Sequence, residues 1–165
     1  MASDISVLCT ALDTAIRSLI PADYDVQEAR AQALLFETML RPPGVVWCYG
    51  GSRKLGTGPL GDRGRQDYAF GFTIGCVGMD WSTAAGAVEQ ARDIAERLRG
   101  RPTQAALPDG QRTPNLRTIS LGRLGDDPQY LVFANETPTL ARGTDPHGGR
   151  FALIQQWETG PLARI

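Results

Sequence analysis

The sequence predicts an α+β domain of two layers, a mostly antiparallel sheet of about five strands with two or three helices on one face. Three observations lead there. Some segments carry apolar residues at three- and four-residue steps, others alternate with period two, and the two kinds are interleaved without a regular strand–helix alternation. The chain has 165 residues, which fits a single domain over 1–165. A domain of that size buries roughly two thirds of the surface its unfolded chain exposes, so it needs neither disulfide nor metal to fold.

The first helix is set by Ile5, Leu8, Cys9, Leu12, Ile16, Leu19 and Ile20, which fall on one face. Ser3 or Asp4 can cap its start, and Pro21 marks its end. A second helix is expected from about Val26 to Leu40, with Asp25 as cap and Glu28 completing a capping box, stopped by Pro42-Pro43-Gly44. Val45 to Tyr49 is dense in β-branched and aromatic residues and predicts a strand. In the next strand Tyr68, Phe70, Phe72, Ile74 and Cys76 alternate with Ala69, Gly71, Thr73, Gly75 and Val77, giving one bulky face and one small face. These two strands are expected to pair as a hairpin with an oversized tip.

A third helix follows, capped by Asp80 or Ser82 and running to about Arg99 on a stripe of Ala84, Ala87, Val88, Ala91, Ile94, Ala95 and Leu98. So many alanines let it lie close to a sheet, and Gly100 is a natural stop. Strands are then expected at Leu116–Leu124, Tyr130–Ala134 and Phe151–Trp157, with a turn at Gly125-Asp126-Asp127-Pro128 and a short tail from Gly160-Pro161. Long loops remain at about 50–66, 100–115 and 136–149, consistent with 19 glycines and 11 prolines. Loops of that length are usually functional or disordered.

Composition narrows the function classes. Hydrophobic residues make up 42% and charged residues 21%, a soluble globular balance. The formal net charge of −1 argues against a general nucleic-acid binder. No apolar run approaches the ~20 residues of a membrane span, and the N-terminus lacks the basic start and apolar core of a signal peptide. The expected location is the cytoplasm, unless the chain leaves inside an assembly. Cys9, Cys48 and Cys76 are widely spaced without a Cys-x-x-Cys pair, so they read as buried, reduced thiols, with Cys48 and Cys76 on neighbouring strands.

Motifs that resemble sites fail on context. Gly56 to Gly61 matches G-x-G-x-x-G, but Pro59 and a strand follow where a dinucleotide site needs a helix. Gly50-Gly51-Ser52-Arg53-Lys54 lacks the Gly-Lys-Ser/Thr ending of a phosphate loop. The single histidine, His147, lies in a turn-like stretch beside Asp145, and no Gly-x-Ser-x-Gly element occurs. Asp126-Asp127-Pro128 is turn chemistry, and Asp62 and Asp67 flank arginines of opposite sign. No catalytic residue, cofactor site or metal site is expected. Arg53, Lys54, Arg63 and Arg65 cluster in one loop, which is either solvated surface or a basic tip facing an acidic partner or passing DNA. Trp47, Trp81 and Trp157 are core candidates that can also anchor a subunit interface.

Pro42-Pro43-Gly44-Val45-Val46-Trp47 enters a strand after a helical region. A long loop and the strand Tyr68 to Val77 follow, then Met79-Asp80-Trp81 opens a helix, and strands close the chain. In this order of elements the chain resembles the tail terminator (tail completion) proteins of long-tailed bacteriophages. The two long loops depart from the shorter versions in that family. The resemblance implies a small α+β subunit forming a hexameric ring that caps the tail tube and meets the head–tail connector, with DNA passing through its channel. It places the chain in the virion neck, and in the host cytoplasm during assembly. Long Gly/Pro loops that order against neighbours and sheet edges that pair across subunits are compatible with such a ring. The rival readings are another neck or head-closure subunit, which would have more β-barrel character, and a small enzyme or ligand-binding domain.

Overall fold

The structure, a computed structural model, describes residues 4–29, 43–54, 67–79, 84–100, 114–121, 123–124, 127–128, 130–139, 150–159 and 163–164. Among the described residues two long helices and a mixed, mostly antiparallel sheet form an α+β fold, as the sequence predicts. Helix α1 is Asp4–Leu19 and α2 is Ala84–Arg99. The main strands are β1 (Asp25–Glu28), β2 (Gly44–Lys54), β3 (Asp67–Met79), β6 (Leu131–Thr139) and β7 (Arg150–Thr159). They are ordered β1-β2-β3-β7-β6. The two-residue strands β4 (Arg123–Leu124) and β5 (Asp127–Pro128) pair with each other, and β8 (Ala163–Arg164) pairs with the start of β3.

The alternation in β3 organises the core. Phe70, Phe72, Ile74 and Cys76 are buried in one cluster with Val45 and Trp47 of β2, Leu153 and Trp157 of β7, and both helices. α1 contributes Leu8, Leu12, Ala15 and Ile16, and α2 contributes Ala91, Ile94, Ala95 and Leu98. Each large side chain so buried contributes about 1.5–3 kcal/mol. The opposite face carries small residues. Val46, Cys48, Val77 and Ala152 are buried there with Ala29 as a second, smaller cluster. Cys48 and Cys76 are indeed on neighbouring strands, but Cys48 is opposite Thr73 in register, and the two thiols belong to clusters on opposite faces of the sheet.

α2 sits very close to β3, as its alanine stripe anticipates. A Cβ on Gly78 would overlap the Ala87 carbonyl, so only hydrogen fits at that crossing. The helix ends on Gly100, whose amide donates to the Glu96 carbonyl at 2.8 Å.

Several expectations need correction. Asp25–Glu28 does not open a helix but forms β1, parallel to β2. The capping-box letters describe local geometry only; the decisive partners are distant, with the Asp25 amide on the Pro43 carbonyl (3.3 Å) and the Ala29 amide on the Trp47 carbonyl (2.8 Å). The helix expected beyond that point lies, from residue 30 on, outside the described residues. Second, β2 continues through Gly50-Gly51 to Lys54, because a bulge between Tyr49 and Gly51 absorbs the break in alternation. Third, β6 runs past Ala134 to Thr139, again across a bulge, at Phe133/Asn135. The expected loops at 50–66 and 136–149 are shortened accordingly.

Fourth, residues 116–121 form no strand. The Thr118 and Ile119 amides bond the Asn115 carbonyl at 3.0 and 3.1 Å, and the Asn115 side chain accepts from the Arg117 amide at 2.8 Å. Asparagine offers this local alternative to a ladder. The segment still contributes to the core through Leu116 and Leu121. Asp127 and Pro128, expected in a turn, are the second half of the β4–β5 ladder.

The Gly78 crossing sets the first prediction. Gly78→Ala should lower unfolding stability by about 1–3 kcal/mol, the range for overpacked interiors. Urea denaturation followed by tryptophan fluorescence measures this, and an unchanged midpoint would mean α2 does not bear on β3 as described.

Candidate functional site

Away from its buried end, the small-residue face of the sheet opens into a groove of about 320 Å³. Its floor is Ala69, Gly71 and Thr73 of β3, and its walls are the bulged part of β2 around Gly50-Gly51 and the bulged part of β6 around Ala134-Asn135. Gly51 has φ 106°, a conformation that glycine adopts without the Cβ penalty. The two bulges lie in β2 and β6, on either side of β3 and β7, and the absence of bulky side chains on the floor keeps the hollow open.

The lining is polar without a concentrated charge. The Thr73 hydroxyl donates to Gln156 Oε1 at 3.0 Å, which leaves the Gln156 amide N–H donors for another group. Asn135 and Ser52 add exposed polar side chains, and Glu158 supplies a carboxylate. Such a surface suits contact with polypeptide, offering amide and hydroxyl partners over accessible backbone. Beyond its rim Tyr130 and Val132 are among the most exposed large apolar side chains, at 42% and 57%.

Of the basic loop residues, Arg53 pairs with Ala69 and Lys54 with Tyr68, so the backbone of both lies on the sheet next to the groove. Arg63 and Arg65 lie outside the described residues, as do Trp81, His147, Asp145 and the Gly56–Gly61 run. Trp47 and Trp157 are each 1% exposed. Neither indole has surface to offer a neighbouring subunit, so for these two the core reading holds and the interface-anchor reading does not.

Both buried indoles have hydrogen-bond acceptors, which sequence reasoning did not anticipate. Trp47 Nε1 donates to Asp13 Oδ1 at 3.0 Å, and Asp13 Oδ2 accepts from Arg17 Nε at 2.7 Å. Trp157 Nε1 donates to Gln155 Oε1 at 2.9 Å. Gln155, fully buried, spends its amide N–H groups on the Ala95 carbonyl (3.1 Å) and Glu136 Oε1 (2.9 Å). Glu136 also accepts from Arg99 Nε at 3.1 Å. This chain ties the end of α2 to β6 and β7. Phe133 stacks edge-on against Trp157 at 5.2 Å, with the Arg117 guanidinium 5.3 Å from the Phe133 ring centre.

Among the described residues no group of three or more His, Cys, Asp or Glu side chains is placed to hold a metal ion, and no helix is long and apolar enough to cross a membrane. No family model matches the chain, and no curated protein is recognisably similar to it in sequence.

Burial pushes the thiols up. Desolvation, with the Glu28 charge adding, raises Cys9 from the ordinary 9.0 to about 11, and desolvation raises Cys48 and Cys76 as well. A thiol whose folded pKa lies above its unfolded value favours the folded state below pH 9.0, and that contribution is lost as pH rises through about 11. The unfolding free energy should therefore fall over pH 9–11. In Cys9→Ala the fall should be shallower, measured as the difference between the two urea midpoints across that range. Equal slopes would show that Cys9 ionises alike in both states.

Proposed function

We propose that this chain is a virion structural protein, a tail terminator whose copies form a hexameric ring that caps the phage tail tube and joins it to the head–tail connector. The reading rests on the resemblance in element order, and the observation that carries it is the architecture: a small α+β subunit with an open sheet. Among the described residues the sheet path runs from β1 to β6 without returning on itself, which favours the terminator over the more barrel-like head-closure subunits. The groove supports it further. A glycine- and alanine-floored hollow with amide and hydroxyl walls presents shape and hydrogen bonds to a neighbouring polypeptide.

In this reading the chain acts through contacts with its own copies, the tail tube protein and the neck proteins, and performs no chemistry on a small molecule. DNA traverses the ring without sequence-specific recognition. The groove is the contact surface.

The purified chain, alone or mixed with tail tube protein, should give closed rings by negative-stain imaging and a matching mass by mass photometry. A strict monomer that forms no ring with tube protein would overturn the proposal. Replacing Arg53, Lys54, Arg63 and Arg65 together by alanine should weaken assembly onto tails or DNA retention. Unchanged assembly and retention would make that loop solvated surface only.

A further inference from the structure

We infer that β1 and β6 are both guarded against strand addition, so that copies of this chain do not extend the sheet through either of these strands. An edge strand presents unpaired N–H and C=O groups and invites another strand, which proteins counter with short edges, bulges, prolines or covering side chains. Among the described residues β6 forms one edge of the sheet, and the other is β1 opposite Gly44–Trp47 and β2 itself from there to Lys54.

β6 is the more exposed to this hazard. It is nine residues long, and Val132 in it is 57% exposed, with Tyr130 just before it at 42%. A flat strand of this composition would be a template for pairing. Two features prevent it. The extra residue of the bulge, Ala134, sits between Phe133 paired with Trp157 and Asn135 paired with Gln156, and a bulge twists an edge away from a flat partner. Four residues later Pro138 pairs with Leu153. Proline is accommodated within a sheet where the missing N–H faces away from the ladder, which here is the open edge. An incoming strand therefore meets a kink and then a position with no donor.

β1 is closed differently. It has only four residues. The Asp25 and Ala29 amides point to β2, bonding the Pro43 and Trp47 carbonyls, so the Val26 backbone between them faces outward. Its carbonyl is taken by Arg17 Nη2 at 2.9 Å. Arg17 is held by Asp13, which is itself the acceptor for the buried Trp47 indole. A side chain of α1, oriented from the core, thus occupies the outward Val26 acceptor on this edge.

The inference goes beyond the proposed function, because a ring built on side-chain contacts and an isolated monomer both satisfy it. The test compares wild type with two variants: Pro138→Val with Ala134 deleted, which straightens β6 and restores a donor, and Arg17→Ala, which uncovers Val26. Analytical ultracentrifugation, thioflavin T fluorescence and the infrared amide I band are read over a concentration series. The expected result is larger, concentration-dependent species with thioflavin T signal and intermolecular β absorption in the β6 variant, and a smaller shift of the same kind in Arg17→Ala. Wild type should show neither signal, whatever its oligomeric state. Should the deletion prevent folding, Pro138→Val alone, which keeps the bulge, decides on the same readouts. Variants with a wild-type circular dichroism spectrum and wild-type sedimentation overturn the inference, as does an intermolecular β signal from wild type itself.

Discussion

The fold depends on one constraint, the unequal faces of β3. Phe70, Phe72, Ile74 and Cys76 on one side and Ala69, Thr73 and Val77 on the other, with glycines between them, make the strand thick in one direction and thin in the other. The thick side must be covered, and α1 and α2 both cover it. The thin side lets neighbouring structure come close to the sheet. Because side chains alternate strictly along a strand, a slip of one residue against β2 or β7 would exchange the two faces and put the aromatic residues in the wrong layer. Register across the three central strands is therefore specified by packing, and the bulge in β2 occurs where the register can shift without disturbing Trp47 and Phe72, whose rings meet at 6.4 Å.

The interior is not purely apolar, and its polar groups explain how the layers are joined. Two tryptophans in a core of this size bring two N–H donors out of water, and a buried donor without an acceptor costs about 1–3 kcal/mol. Each indole is served from a different direction. Asp13 reaches Trp47 from α1, and Gln155 reaches Trp157 within β7. Gln155 then needs partners for its own amide, and it finds them on α2 and β6. Satisfying one group thus recruits the next until the chain ends on Arg99 and Glu136, which are partly solvated. The exposed Arg17–Asp13 pair contributes little as an ion pair, since water screens it; its role is orientation.

What the sequence made legible was whatever a single segment encodes alone. The α1 stripe from Ile5 to Ile20, the α2 stripe from Ala87 to Leu98 and the alternation of β3 are properties of consecutive residues, and all three are present in the structure. Asp25–Glu28 was misleading because its letters fit a capping box, while its actual partner is an edge of β2 that no local pattern announces. Gly50-Gly51 looked like the start of a loop, since a glycine pair ends an alternation; a glycine inside a strand equally signals a bulge, and only the pairing with Gly71 distinguishes the two. The groove was not legible at all. Its floor and walls come from β2, β3, β6 and β7, and it exists only once their registers are set. Gln155 gives no hint either, because Ala95, which it serves, is 60 residues away.

These features limit how the described surface can be used. One face of the sheet packs against α1 and α2. The other is buried where Val46, Cys48 and Ala152 lie and open where Gly71 and Gln156 lie. With β1 and β6 guarded, a partner seeking extensive contact with the sheet is left with the stretch of β2 beyond Trp47 and the open end of the small face. That end is also where the backbone of Arg53 and Lys54 lies in β2, and beyond it Val132 and Tyr130 offer apolar area. Small residues on a strand are commonly explained as permitting a close helix, which holds for Gly78 under α2. Gly71 and Ala69 face a hollow instead. A sheet that carries small residues toward an unfilled space forgoes apolar burial there, and that cost is offset where another polypeptide supplies the missing contacts.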